Sequence, residues 1–322
     1  MLAVFLLSAS IAGAGPAAPG LLPGYEEDRA ETGPLLSRGW SPRDRERIAG
    51  RLPEILRKVE GKLGRRLGRE FLTVLVPDRG EMVRVLERFG ARLSGSSEPV
   101  VGMALTGPRC LIVREDLWRG APIEETLAHE IAHLVIHRDP SARIPRWFDE
   151  GAAMWAAGQA LDPELEAHLS LLAWLGLLYP VRTLEARFPA DGVETSRAYG
   201  QSYLLVLYLV SRRGPGIVPK ILDAFERGAA GVEPLEALSG GDLRGLERDY
   251  GSWVARRRPL LLALASRLDL WTTISLLALL AVLVGWARRR RKLRQLEREE
   301  GTSSEGPGGE EAEEEDTDEE DE

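Results

Sequence analysis

The sequence predicts an α+β fold in which a small mixed sheet comes first and a mostly helical half follows. Short runs of strand-forming residues occur only in the first half of the chain, at 71–76, 100–105 and 110–113. From Pro122 onward, apolar residues recur at helical spacing in segments bounded by Gly, Pro and Asp. The 322 residues, 44% of them hydrophobic, suffice for a domain with a real core.

The predicted elements of the first half follow from local signals. Ser41-Pro42 starts a helix that runs to about Leu67, with Ser as N-cap and Pro at the first helical position. A strand at 71–76 is ended by Pro77-Asp78, and a helix at 81–89 follows. The strands at 100–105 and 110–113 are joined by Thr106-Gly107-Pro108, which is typical of a hairpin.

The second half is predicted as a series of helices. Their expected ranges are 122–137, 145–158, 162–178, 198–213, 215–228 and 242–257.

Both ends of the chain carry signals for a membrane. The apolar run Leu2–Leu7 and the small residues Ala12-Gly13-Ala14 predict a secretory signal peptide, although no basic residue precedes it. The uncharged stretch 270–287 is long enough for a bilayer core and is bracketed by Trp271 and Trp286. The basic run that begins at Arg288 predicts a cytoplasmic C-terminus and an extracytoplasmic body.

The formal net charge of −8 comes from the C-terminal tail rather than from the rest of the chain. Residues 305–322 hold 12 Asp and Glu, and the rest of the chain is +4. Such a tail predicts disorder and is suited to a basic cytoplasmic partner. We expect no nucleic-acid partner. The single cysteine, Cys110, excludes an intrachain disulfide, and the 38 Arg against 4 Lys indicate a GC-rich, bacterial source.

The domain boundaries follow from these signals. We predict a signal peptide at 1–14, an extended linker at 15–40, one domain at 41–258, a juxtamembrane segment at 259–269, a transmembrane helix at 270–287 and a cytoplasmic tail at 288–322.

The segment His129-Glu130-Ile131-Ala132-His133 is the main chemical signal. In a helix, His129 and His133 present two imidazoles on one face, where they can bind one zinc ion. Zinc lowers the pKa of a bound water to about 7. Glu130 lies beside the first ligand and can take a proton from that water as a general base.

A catalytic zinc ion needs a third protein ligand, and the other two histidines do not supply it. His137 lies about 12 Å along the helix from His129, so we interpret it as an exposed residue near the helix C-terminus. His168 lies on a polar face and is interpreted as solvated. A carboxylate is therefore expected, and the candidates are Glu150, with Asp149 as the alternative, in Trp147-Phe148-Asp149-Glu150-Gly151.

The two motifs together resemble the gluzincins, and more specifically the peptidase MA-like family of secreted or membrane-bound bacterial proteins. Residues 127–133 followed by 145–153 carry the resemblance, which covers about 70–230. It implies one zinc ion held by His129, His133 and Glu150, with Glu130 as general base. The chain departs from thermolysin-like relatives at Met154, where those enzymes place an Asp that orients a histidine, so the partners of the ligands remain unassigned.

Two further features bear on catalysis. The segment 198–203 resembles the family's downstream helix, which implies Tyr199 as the donor to the oxyanion, with Tyr203 or mere core packing as alternatives. The strand 100–105 is expected at a sheet edge, where an extended peptide can pair with it. No acidic residue within it is placed to bind a substrate's free amine, which favours an endopeptidase.

The sequence thus predicts a membrane-anchored, extracytoplasmic zinc endopeptidase that acts on peptides or proteins. The alternative is a catalytically weak, zinc-containing binding or scaffold module, and a third possibility is an anchor for signalling through the tail. Glu130 favours the enzyme, because a dead fold has no physical need for a carboxylate at that position.

Overall fold

The computed structural model describes residues 22–91, 101–118, 123–186, 192–257, 274–275, 277–286 and 289–290. The chain divides into two compact units, 1–263 and 264–322. The predicted signal peptide, and the tail apart from residues 289 and 290, lie outside the described residues.

A five-stranded mixed sheet forms the first layer of the larger unit, as predicted. Its strands are β1 Glu26–Ala30, β2 Gly33–Ser37, β3 Leu72–Val76, β4 Gly102–Leu105 and β5 Cys110–Arg114. They lie in the order β1-β2-β3-β5-β4. The three central strands are parallel, and each outer strand pairs antiparallel with its neighbour. Strand β4 is therefore an edge of the described sheet.

The prediction of a linker at 15–40 is wrong for its second half. Strands β1 and β2 form a hairpin there, and Leu36 of β2 pairs with Val74 of β3. The signal was missed because β1 is made of charged residues and β2 begins with Gly-Pro. Only pairing with the buried strand β3 makes this segment part of the sheet.

Eleven helices are present among the described residues of the larger unit. They are α1 Pro42–Leu63, α2 Arg79–Arg88, α3 Glu115–Trp118, α4 Ile123–Ile136, α5 Arg146–Ala157, α6 Pro163–Trp174, α7 Val181–Ala186, α8 Gly192–Arg213, α9 Ile217–Glu226, α10 Glu233–Leu238 and α11 Leu243–Ala255. Each helix predicted between residues 41 and 258 is confirmed. The short helices α3, α7 and α10 were not predicted, because four to six residues are too few to show a helical period.

Helix α1 shows how local chemistry sets the ends of an element. The Ser41 hydroxyl accepts a hydrogen bond from the Asp44 N–H at 3.1 Å, as expected for its N-cap. The helix ends at Leu63 rather than near Leu67, because Gly64 takes a left-handed conformation with φ of 64°.

Helix α4 is the centre of the fold. Every residue from Thr126 to Ile136 is buried, and the helix packs against α1, α5 and β4. A helix that is buried on all sides has little freedom to rotate or tilt. The side chains on α4 are consequently held in fixed positions relative to α5 and to the sheet edge.

No helix in the described part of the chain is long and apolar enough to cross a membrane. The predicted span at 270–287 is only partly described: residues 274–275 and 277–286 are helical, and the other six lie outside the described residues.

Candidate metal centre

The structure brings the two motif histidines together on one face of α4. The Nε2 atoms of His129 and His133 lie 3.2 Å apart, and each side chain is 2% exposed. The four-residue spacing produces this, because side chains one turn apart on a helix are neighbours.

Each histidine also makes a hydrogen bond through its other ring nitrogen, Nδ1. Nδ1 of His129 lies 2.9 Å from the Gln159 side-chain oxygen, and Nδ1 of His133 lies 2.7 Å from Oδ1 of Asp149. Because both partners are acceptors, both Nδ1 atoms carry the proton in the neutral rings, and both Nε2 atoms present lone pairs to the centre.

Helix α5 brings the candidate third ligand to the same point. Oε2 of Glu150 lies 3.8 Å from Nε2 of His129 and 3.7 Å from Nε2 of His133. The three side chains form a buried group whose ligand atoms all lie within 4.8 Å of one another. Asp149, the alternative from the sequence, instead contacts the far side of the His133 ring.

Glycine at position 151 permits this close approach. A Cβ atom on Gly151 would lie 2.5 Å from the backbone oxygen of Ser202 in α8. Helices α5 and α8 therefore cross with their backbones nearly touching, and Glu150 is fixed in the tight part of that crossing.

Glu130 is held by the edge strand. Its Oε2 accepts a hydrogen bond of 2.8 Å from the Ala104 N–H of β4. Its Oε1 is buried and has no hydrogen-bond partner among the described residues. Burial raises the pKa of the Glu130 carboxyl, and the nearby Glu150 adds to this against the lowering effect of the two histidines and the Ala104 N–H.

Tyr199 approaches the centre from α8. Its hydroxyl donates to Oε1 of Glu150 at 3.1 Å and accepts from the Arg146 guanidinium at 3.0 Å. Its ring is half-buried against the apolar cluster on the sheet. Tyr203, the alternative from the sequence, donates instead to the Gln159 backbone oxygen at 2.5 Å, so it supports the loop that holds Gln159.

The atoms that face the centre are suited to bind a cation. The lone pairs on Nε2 of His129 and Nε2 of His133 and Oε2 of Glu150 face one buried point. Among the described residues, no hydrogen-bond donor reaches this Oε2 atom. Three acceptors facing one another out of water are unfavourable unless a positive charge lies among them. Burial opposes protonation of His133, but Asp149 and the other carboxylates outweigh it and raise the pKa of His133 to about 9.

Three residues behind the candidate ligands were not predicted from the sequence in the places that the structure gives them. Asp149 was expected as the alternative ligand, Gln159 carried no signal, and His137 was interpreted as exposed. The structure corrects the last point: His137 is half-buried, and its Nε2 lies 3.0 Å from Oδ2 of Asp149. His168 is also half-buried rather than fully solvated. A side chain's partners across helices leave no local pattern in the sequence.

Two histidines from one helical turn, an adjacent glutamate and a carboxylate from the next helix define a metallopeptidase type of site. Residues 117–256 match the family model described as the Peptidase MA superfamily. This match confirms the resemblance to the peptidase MA-like family that the two motifs indicated. The superfamily implies a metal, and the group formed by His129, His133 and Glu150 is suited to hold one.

Similarity to individual proteins is limited. The structure resembles that of native yeast LTA4 hydrolase with a TM-score of 0.39 and 11% identity, covering 70% of this chain and 38% of that one. A 95-residue segment is 36% identical to the homeobox-leucine zipper protein HOX27 of Oryza sativa, subspecies indica and japonica, covering 30% of this chain. The chain spans about a quarter of those two proteins, 26% of their length. No residue or activity is carried over from these matches.

Proposed function

We propose that this protein is a zinc-dependent peptidase of the gluzincin type, with zinc held by His129, His133 and Glu150. The observation that carries the proposal is that Nε2 of His129, Nε2 of His133 and Oε2 of Glu150 form one buried group, in which no hydrogen-bond donor of the described residues reaches Oε2. Zinc favours four-coordinate sites with imidazole and carboxylate ligands, and its chemistry is to acidify a bound water and polarise a carbonyl.

Glu130 is the proposed general base. Its free Oε1 is buried near the ligands, while the Ala104 N–H holds Oε2, so one oxygen is fixed and the other can accept a proton from water. Its raised pKa suits this task, because a base with a pKa nearer neutrality is also able to return the proton to the leaving amine.

Tyr199 is proposed as the donor to the oxyanion. Its hydroxyl is directed at Glu150 and receives a hydrogen bond from Arg146, whose positive charge favours donation by the phenol. When a substrate carbonyl occupies the centre, the hydroxyl can turn from Glu150 to the developing negative oxygen.

Strand β4 is proposed to bind an extended peptide. Its neighbour β5 lies on one side only, and the Ala104 N–H points away from β5 toward Glu130. Residues two apart on a strand point their backbone groups the same way, so the backbone of Gly102 faces the same edge. A substrate added here would run past Glu130. This favours internal cleavage.

A membrane tether is a further part of the proposal. The stretch 270–287 contains no charged residue, and every described residue from 277 to 286 is helical and exposed. An exposed apolar surface of this kind favours contact with lipid. We propose that the body is extracytoplasmic, that the C-terminus is cytoplasmic and that the acidic tail contacts a cytoplasmic partner.

A specific observation favours the alternative, a zinc-containing module with little turnover. The four side chains at the centre are at most 2% exposed, so a peptide reaches them only after some movement. Turnover must therefore be measured rather than inferred from the ligand set.

The test is cleavage by the full chain in detergent. Zinc-loaded wild type is incubated with an unstructured peptide library beside Glu130→Gln, and products are read by mass spectrometry. We expect internal cuts that disappear with the substitution and with a chelator, while Glu130→Gln keeps stoichiometric zinc. Bound zinc without cuts would favour the module, and a wild type without zinc would contradict the ligand assignment.

A further inference from the structure

A third histidine, His137, lies next to the metal centre on the side of His133 that faces away from the candidate ligand point. His133 and His137 are one turn apart on α4, so their rings lie on the same side of the helix. Asp149, in the first turn of α5, sits between them. Oδ1 lies 2.7 Å from Nδ1 of His133, and Oδ2 lies 3.0 Å from Nε2 of His137. The carboxylate thus joins the two rings, one through each oxygen.

The carboxylate depends on these two rings. Asp149 is 2% exposed, and a buried carboxylate is costly unless its oxygens receive hydrogen bonds.

We propose that His137 is a positioning residue for the metal centre: it fixes Asp149, which in turn fixes the tautomer and the ring plane of His133. This inference rests on the proposed function, because it takes His133 as a ligand. Without His137, Oδ2 of Asp149 would lose its 3.0 Å contact with Nε2 of the ring, and the carboxylate could rotate away from His133. The lone pair of His133 would then no longer be held toward the ligand point.

The distances distinguish this arrangement from a second metal site formed by the same three side chains. Two ligands on one tetrahedral zinc ion, each at about 2.0 to 2.1 Å, lie about 3.3 Å from each other. The separation of 2.7 Å is shorter and matches a hydrogen bond between Nδ1 of His133 and Oδ1. The 3.0 Å between Nε2 of His137 and Oδ2 is also shorter than two ligands of one ion allow, although Nε2 makes no hydrogen bond to a described residue. Nδ1 of His133 is therefore a donor to Asp149.

The two ligand histidines are supported unequally. His129 is held by a neutral amide oxygen, that of Gln159, whereas His133 is held by a carboxylate whose other oxygen lies 3.0 Å from Nε2 of His137. A charged partner makes a stronger hydrogen bond than a neutral one. Loss of His137 should accordingly act on His133 and leave His129 unchanged.

The test is the zinc affinity of the full chain, measured by competition with a chromogenic chelator. For His137→Ala we expect an affinity about tenfold weaker, the lower end of the range for partners of metal ligands. His137→Gln keeps a side-chain N–H donor and should recover most of the affinity. His168→Gln, which changes the fourth histidine of the chain, should match the wild type.

A spectroscopic measurement separates positioning from general destabilisation. In zinc-loaded protein with ¹⁵N-labelled histidine, the His133 Nδ1–H should give a strongly downfield proton signal. We expect it to move or broaden in His137→Ala and to return in His137→Gln, while the His129 signal stays. Should His137→Ala not fold, Asp149→Asn takes its place, with a larger loss of affinity expected.

The outcomes separate this inference from the proposed function. Unchanged affinity and an unchanged His133 signal in a folded His137→Ala would overturn the positioning role, even if the wild type binds zinc and cuts peptides. Two zinc ions per chain, falling to one in His137→Ala, would also overturn it in favour of a second metal site. A wild type that binds no zinc would contradict the proposed function itself.

Discussion

At the scale of single residues, the site is built from side chains that have two polar atoms. One atom is hydrogen-bonded to the surrounding protein, and the other faces the centre. Glu130, His129 and His133 each use one polar atom to contact the protein and keep the other facing the centre. Such side chains are oriented before a metal or substrate arrives. Little free energy is then needed to organise them during binding or reaction.

Gln159→Ala should weaken zinc binding less than Asp149→Asn does. The first change removes a neutral acceptor from His129, whereas the second replaces a carboxylate that holds His133. We expect losses of about tenfold and about a hundredfold in affinity, by the same chelator competition. Equal losses would mean that the charge of Asp149 contributes nothing to the orientation of His133.

In zinc-saturated enzyme, Tyr199→Phe should lower kcat by about a hundredfold, because one oxyanion donor is lost. Zinc affinity should fall as well, because the hydroxyl also donates to Oε1 of the candidate ligand Glu150. Tyr25→Phe is the matched control, because the Tyr25 hydroxyl donates to Glu81 and not to any candidate ligand. Steady-state cleavage of one peptide from the library measures both. A Tyr199→Phe enzyme with normal kcat would assign the tyrosine to packing.

The candidate ligand set could be chosen from the sequence because it is encoded by spacing: two histidines four positions apart, and a glutamate beside a glycine. The residues that hold the ligands could not. His137 resembles a surface residue in the sequence, and only the placement of α5 against α4 puts Asp149 within 3.0 Å of it. Gln159 lies just after a helix, in a loop whose course depends on Tyr203.

At the scale of elements, the crossing of α5 and α8 determines where the third carboxylate lies. The sequence predicted both helices but not that their backbones touch at Gly151. That contact follows from the absence of a side chain at one position in α5 and is visible only when both helices are in place.

Gly151→Ala should destabilise the fold by about 3 kcal/mol, because its Cβ would lie 2.5 Å from the Ser202 oxygen and the helices must separate. Urea unfolding of the metal-free protein measures this. Zinc affinity should also fall, since Glu150 moves with α5.

Gly251→Ala is the matched control for that change. It lies within α11, and nothing lies within 4 Å of the position of its Cβ. Replacing glycine by alanine in an open helix position stabilises by about 0.5 to 1 kcal/mol. If both variants lose the same stability, the crossing is not the cause.

At the scale of the whole molecule, a network of charges joins parts of the chain that are far apart in sequence. Arg65, whose side chain is 2% exposed, pairs with Asp223 and Glu226 of α9. Arg138, just after α4, donates to both carboxylate oxygens of Glu226 at 2.9 and 3.1 Å. The ends of α1 and α4 are thus tied to one carboxylate.

Glu226→Gln should destabilise the fold by about 2 kcal/mol, because the buried Arg65 loses one of its two anions. Glu236→Gln, which breaks an ion pair with the exposed Arg182, should cost less than about 0.5 kcal/mol. Thermal and urea unfolding compare the two. Equal effects would mean that burial of Arg65 does not matter.

The same network predicts a dependence on pH. Hydrogen bonds from Arg138, together with the charge of Arg65, lower the pKa of Glu226 in the folded state. Its contribution is therefore complete above the ordinary glutamate pKa of about 4.3 and is lost as the pH falls through the lower folded value. The stability gap between wild type and Glu226→Gln should close in that range. A gap that stays constant would contradict the role of this carboxylate.

Most of the fold was predicted, and the misses have physical causes. Long helices and the central strands carry their own periodicity, whereas β1 is stabilised by pairing with β2 and by ion pairs from Arg45 to Glu26 and Asp28. A strand whose side chains are charged has no local signal. Strands β1 and β2 could therefore be identified only from the folded chain.

The hydrogen bond between Ala104 and Glu130 has a consequence for how this domain is delimited. The family match begins at residue 117, yet the strand that holds the proposed base ends at Leu105. A fragment cut at the family boundary would keep every proposed ligand but would leave the Glu130 carboxylate without its backbone donor and uncover one side of α4. The segment that matches the family model is therefore shorter than the segment that holds the proposed base in place.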